Sequence, residues 1–204
     1  MLVRYMSAPA PGQLPRLKYL SQDNPKYTNK SAPGLRECSG DQNNGENVTE
    51  ACIFDLQPFI EQGCSPPDFG FNNGTPCVIL TLNKLIGWEP LPYPPDTLPS
   101  ALPPQVQKNY KNGDVAITCE GEYIAGQENI GQLEYIPPSG IRKIFYPYKF
   151  RKDLAYHQPF AMVKFKSLRP GILVEVECKA YAYNIIHDRP NRLGMTHFEM
   201  LRVD

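Results

Sequence analysis

A chain of 204 residues is long enough for one sizeable hydrophobic core or two small ones. Its 21 Lys and Arg balance 21 Asp and Glu, which excludes the basic excess that nucleic-acid binders use to displace counterions. With 22 prolines and 15 glycines it is no helical bundle, and the composition favours short strands joined by turns and long ordered loops.

Residues 1–37 read as irregular, because Pro9, Pro11, Pro15, Pro25 and Pro33 break every candidate element. They are expected to form an extended lead-in to a second unit, residues 38–204. Cys38, Cys52, Cys64 and Cys77 fall in 38–77, between polar turns and short apolar runs such as 53–56. A stretch this poor in core residues needs covalent staples to be ordered. The cysteine count is even and no CxxC pair occurs, which argues against zinc and thioredoxin-like chemistry. Disulfides formed in an oxidising compartment are the natural reading. Sequential pairing, Cys38–Cys52 and Cys64–Cys77, closes two short loops, although six cysteines allow fifteen pairings. Three N-glycosylation sequons agree with that compartment: Asn29-Lys30-Ser31, Asn47-Val48-Thr49 and Asn73-Gly74-Thr75. Pro76, directly after the third, disfavours its use.

No signal peptide is visible, since Met1–Met6 is short and polar, and no run reaches the roughly 18 apolar residues of a membrane span. The expectation is therefore a fragment lacking its N-terminal anchor.

Cys77–Leu82 is a continuous apolar, β-branched run and reads as a buried strand. After Trp88 the segment EPLPYPPDTLPSALPPQ reads as a stiff polyproline connector over the surface. Residues 114–120 alternate, with Val115, Ile117 and Cys119 on one face and Ala116 and Thr118 on the other. Residues 132–136 and 160–166 give two more strands. Pro170-Gly171 suits the middle of a type II turn. Beyond it Val174, Val176, Cys178, Ala180 and Ala182 share one face of a half-buried antiparallel strand. Cys119 and Cys178 each lie on the apolar face of their own strand, so Cys119–Cys178 is the expected core disulfide. A poorly patterned edge strand over 196–203 completes a mainly β, immunoglobulin-like antiparallel sandwich. The single tryptophan, Trp88, precedes Cys119, so the likeness to antibody domains is architectural.

The three histidines, His157, His187 and His197, form no recognisable catalytic motif. Glu120 with Glu122, and Glu175 with Glu177, are spaced as the solvent face of a strand, not as glycosidase carboxylates. The sequence therefore points to no enzyme, no metal and no cofactor. A different signal comes from Phe145, Tyr146, Tyr148 and Phe150, crowded around Pro147 with Arg151 and Lys152 following. On a strand they fall on both parities, so some aromatic surface is expected to face outward as a protein-interaction site.

Phe145-Tyr146-Pro147-Tyr148, Gln158 to Phe165 and Glu177-Cys178-Lys179-Ala180-Tyr181 resemble the ectodomain of sodium/potassium-ATPase beta subunits, as do Gly74 to Gly87 and the order of the six cysteines. The resemblance implies a type II plasma-membrane glycoprotein with an N-terminal transmembrane helix absent from this chain, and an extracellular immunoglobulin-like domain with three sequential disulfides. It implies a non-catalytic subunit that assembles with the catalytic alpha subunit, supports its delivery to the plasma membrane and tunes potassium transport. Phe145, Tyr146, Pro147 and Tyr148 would contact alpha. The family motif continues Tyr-Gly-Lys where Lys149-Phe150-Arg151 stand here. The alternative is a beta-like glycoprotein acting in adhesion or junction formation, through homophilic contact, without the pump.

Overall fold

The computed structural model describes residues 3–6, 33–39, 42–44, 49–94, 97–98, 100, 102, 104–111, 113–148 and 156–203. In chain order the strands are β1 (Val3–Met6), β2 (Leu35–Arg36), β3 (Ala51–Cys52), β4 (Cys77–Leu82), β5 (Ala116–Gly121), β6 (Leu133–Ile136), β7 (Phe160–Phe165), β8 (Leu173–Tyr181) and β9 (Met195–Leu201). Short helices α1 (Gln57–Glu61), α2 (Pro104–Asn109) and α3 (Ile124–Asn129) lie between them, with a 3-10 turn over Lys143–Phe145. One antiparallel sheet runs β1-β4-β7-β6 and a second β5-β8-β9, while β2 and β3 form a small parallel pair.

The inner strands explain the sequence pattern. β4 lies between β1 and β7, and Cys77, Val78, Ile79 and Leu80 are all buried. That is why its run is continuous rather than alternating. Val78 and Leu80 join Val174 and Val176 of β8 in one core, and Phe165 of β7 meets Phe198 of β9 edge-on at 6.2 Å. The two sheets thus share an immunoglobulin-like sandwich core. At one end Phe54, Phe59 and Phe160 pack with centroids 4.6–5.8 Å apart. Each such side chain contributes about 1.5–3 kcal/mol on burial.

The simple two-faced reading of β5 and β8 is only half of the picture. Ala116 and Thr118 are buried as well as Val115, Ile117 and Cys119, and so are Glu177 and Tyr181 on the second face of β8. A small second core of Leu102, Val106, Ala116 and Tyr181 covers that face. Leu102 and Val106 arrive from the end of the proline-rich segment and from α2. The connector therefore contributes core: Tyr183 donates its N–H to the Leu91 carbonyl (3.0 Å), and Asn184 holds Leu91 and Glu89.

The three helices do not follow from the sequence reading, which took proline as a breaker. Pro58 stands in the first turn of α1 and Pro104 opens α2, positions where a missing N–H costs nothing. Nor is 1–37 wholly irregular, since β1 adds an antiparallel strand to β4. Gly121 is required where α3 crosses β5: a Cβ there would lie 2.2 Å from the backbone of Gly126 and Gln127.

Disulfides join Cys38 to Cys52, Cys64 to Cys77 and Cys119 to Cys178, with Cα separations of 5.5, 5.6 and 4.0 Å. The last links residues directly opposite in the β5–β8 register. Among the described residues no helix is long and apolar enough to cross a membrane.

Candidate partner-binding site

The aromatic segment is a folded-back turn, not a strand. Ile141 exchanges both backbone bonds with Val115 (2.8 and 2.9 Å), and the Lys143 N–H donates to Asp114 Oδ1 (3.0 Å). The chain then makes one 3-10 turn, closed by the Tyr146 N–H on the Lys143 carbonyl (3.0 Å), and passes a cis Tyr146–Pro147 bond. Tyr148 ends it in a parallel bridge to Ile86, its carbonyl accepting the Gly87 N–H at 2.9 Å.

This geometry removes the parity argument. Phe145 and Tyr146 are adjacent yet both 5% exposed, because a 3-10 turn leading into extended backbone does not send neighbours to opposite faces. Phe145 packs edge-on to Phe54 at 5.1 Å. Tyr146 stands at 88° to Trp88 with centroids 5.4 Å apart. Burial first, with Tyr156 nearby second, holds its hydroxyl well above the ordinary tyrosine range. In the chain as described, then, these two residues are core. Pro147 and Tyr148 are half-buried. The Tyr148 ring lies edge-on to Tyr156 at 4.6 Å and carries the Lys84 ammonium 5.4 Å from its centroid. Phe150 lies outside the described residues.

Beside Tyr148, the outward-facing apolar groups come from the turn after β4. Leu85 is 43% and Ile86 72% exposed, held against Tyr148 by the bridge above. Sequence reasoning did not single them out. The available signal was an apolar Leu-Ile pair set between Lys84 and Gly87, in a turn where polar residues are usual. The cleft among Leu82, Lys84, Trp88, Tyr146, Tyr148 and Tyr156 measures about 10 Å³, room for little more than a water. It suits a surface contact, not a small molecule. Tyr156, which lines the cleft, also donates its hydroxyl to the Phe145 carbonyl (3.0 Å), and the buried Asn44 Nδ2 donates to the same oxygen (2.8 Å).

Three of the four carboxylates considered as catalytic pairs, Glu120, Glu122 and Glu177, are held in ion pairs. His197 on β9 bridges Glu122 (2.9 Å) and Glu177 (3.3 Å), Lys179 reaches Glu120 (3.2 Å) and Glu177 (2.5 Å), and Arg189 pairs with Glu122. Glu177, expected on the solvent face, is 6% exposed, because His197 and Lys179 close over it. The His197 hydrogen bond, with help from Arg189, holds the Glu122 carboxyl below the usual range. His157 accepts the Phe54 N–H (3.2 Å) and His187 lies 3.0 Å from the Ala180 carbonyl. Among the described residues no His, Cys, Asp and Glu cluster could hold a metal. Of the sequons, Asn73 is exposed in a turn, while Asn29 and Asn47 lie outside the described residues.

Fold and site together define a disulfide-braced antiparallel β-sandwich that carries Leu85, Ile86 and Tyr148 together on its surface. The family model "Sodium / potassium ATPase beta chain" matches residues 16–198, and the chain belongs to that family. It is 39% identical over 195 residues to a probable sodium/potassium-transporting ATPase subunit beta-3 of Caenorhabditis briggsae, covering 93% of this chain and 57% of the relative. It is 38% identical over 144 residues to subunit beta-2 of Drosophila melanogaster (66% and 44%), and 30% identical over 142 residues to subunit beta-1 of Tetronarce californica (68% and 45%). The chain spans about half the length of these curated relatives.

Proposed function

We propose that this chain is the extracellular part of a non-catalytic beta subunit that assembles with the catalytic alpha subunit of a sodium/potassium pump, stabilises it, supports its delivery to the plasma membrane and tunes potassium transport. Family membership supplies the partner's class. The carrying observation is the ridge of exposed Leu85 and Ile86 beside half-buried Tyr148, tied to the core by the Ile86–Tyr148 bridge, by the Trp88 N–H on the Leu85 carbonyl (3.2 Å) and by Trp88 packing on Tyr146. In this reading Phe145 and Tyr146 shape the contact, and Pro147, Tyr148 and Ile86 make it. Residues 1–37 lead in from an N-terminal membrane helix and 38–204 form the ectodomain, with N-glycans at Asn29, Asn47 and Asn73. No observation favours the adhesion alternative.

The test is co-expression of the membrane-anchored protein with alpha. Ile86→Asp should reduce the recovered complex at least about tenfold, the effect of roughly 1.4 kcal/mol at a contact, while leaving the thermal stability of the isolated ectodomain unchanged. Full recovery of the complex with Ile86→Asp combined with Tyr148→Ala would remove this ridge as the contact.

A further inference from the structure

We propose that the groove at the C-terminal edge of the sandwich is a carbohydrate seat, occupied by the proximal sugars of an N-linked glycan on Asn73. The groove encloses about 510 Å³ and is lined by Phe71, Asn73, Pro76, Leu168, Met200 and Arg202, among others. That is the size of a small-molecule site, whereas the cleft beneath the contact ridge has room for little more than a water.

Asn73 stands on the rim of this groove. The turn carrying it is closed by the Gly74 N–H on the Phe71 carbonyl (3.2 Å) and the Thr75 N–H on the Gly70 carbonyl (3.0 Å). These bonds fix the backbone of the sequon, and because Pro76 directly after it disfavours modification, occupancy of Asn73 is the first quantity the test reads. The middle residue of the sequon is a glycine with φ +66°, and a Cβ there would lie 3.1 Å from the guanidinium carbon of Arg202. The absent side chain lets that guanidinium lie directly against the sequon backbone, where Nη1 also donates to the Leu168 carbonyl at 3.4 Å. The wall is thus apolar along Phe71, Leu201 and Val203, which keep exposed surface, and donating at Arg202. A pyranose matches both halves, with its C–H face against the apolar groups and its hydroxyl and acetamide oxygens toward the guanidinium. Tethering at the rim makes this weak contact intramolecular, so it forms without high intrinsic affinity.

The modification itself is a transfer from a lipid-linked oligosaccharide diphosphate in the secretory route. Asn73 Nδ2 loses one proton and bonds to the sugar C1, while the C1–O bond to the diphosphate breaks and the lipid diphosphate leaves with the electron pair and takes up the proton. The inference rests on the secretory part of the proposed function. It does not require the alpha subunit, so failure of one leaves the other standing.

The test is to secrete the chain from a eukaryotic host and map glycopeptides at Asn73. The folded glycoprotein is then compared with a form trimmed to a single N-acetylglucosamine by an endoglycosidase, and with sugar-free Asn73→Gln and Thr75→Ala variants. Thr75→Ser, which keeps the sequon, controls for damage to the turn. The expected result is an occupied Asn73 and amide hydrogen exchange over 200–203 that is about threefold or more faster in the sugar-free variants. The single-sugar form and Thr75→Ser should keep the slow rate. An unmodified Asn73, or exchange over 200–203 that is the same in all forms, overturns the proposal.

Discussion

Truncating Tyr146 separates a core role from a contact role, because no partner need be present. Its ring is buried against Trp88 at 5.4 Å, in the same core as Phe145. Replacing a buried aromatic by Ala costs about 3–5 kcal/mol, including a share of the roughly 0.5–1.5 kcal/mol that a well-placed aromatic pair adds. Taking about 4 kcal/mol, and about 2–4 °C per kcal/mol for a domain of this size, Tyr146→Ala should lower the Tm of the isolated ectodomain by about 8–16 °C. Ile86→Ala, at 72% exposure, should stay within about 0.5 kcal/mol of the parent, a shift of about 2 °C at most. The assay is thermal unfolding of the secreted, oxidised domain without alpha. A Tyr146→Ala Tm within 2 or so degrees of the parent (about the shift allowed for a surface change) would refute the burial argument and return Tyr146 to the contact surface.

Other expectations are more local. Removing the Cys119–Cys178 bridge, which spans 59 residues, should cost about 4 kcal/mol, against about 3 kcal/mol for the 14-residue Cys38–Cys52 span, by loop-closure entropy; denaturant midpoints of the double Cys→Ala variants check the order, and the reverse order would contradict it. Burial raises the Asp114 carboxyl above its ordinary range despite the Lys143 N–H bond. Its contribution to stability is therefore complete below about pH 4 and is lost as pH rises through the raised folded value. Asp114→Asn, which keeps the acceptor, should accordingly raise Tm at pH 7 and lose that advantage near pH 3–4 (about the unfolded carboxylate value); a variant less stable at pH 7 than the parent would count against this. Glu122 has the opposite sign, since its lowered carboxyl adds stability above about pH 4 that disappears as pH falls through the folded value. His197→Gln removes the leading cause, so carboxyl NMR should show Glu122 titrating closer to its ordinary range, with about 0.5–1 kcal/mol lost at pH 7; an unchanged titration would rule out the His197 bond as the cause.

What was legible in the sequence is what local pattern encodes. Val174, Val176 and Cys178 alternate because β8 packs one face on the core, and Cys119 keeps the same period, so their strands and shared face could be read directly. The run Cys77–Leu82 could be read for a different reason: it is an inner strand buried on both faces and so continuously apolar. Less legible was everything decided by a distant cover. Nothing near Ala116 or Tyr181 says that Leu102 and Val106 will close their second face. Nothing near Tyr146 says that Trp88 will stand over it, or that Asn44 and Tyr156 will take the carbonyl behind it. The aromatic motif drew attention to the right neighbourhood through its composition. Its burial, and the transfer of the exposed role to Leu85 and Ile86, depended on a turn that strand parity does not describe. The short helices escaped because five or six residues hold too little periodicity to register.

The Phe145 carbonyl has a further consequence. Its two donors come from Asn44, 101 positions earlier, and from Tyr156, 11 positions later, and the Asn44 side chain also accepts the N–H of the disulfide-bonded Cys52. Tyr148 of the ridge, edge-on to Tyr156, is therefore tied to a keystone that is in place only when the first covalent loop, the turn and the segment entering β7 have all arrived. Contacts of such long range form late in folding. A partner that docks on this ridge would be checking the maturity of the whole domain by touching one small part of it.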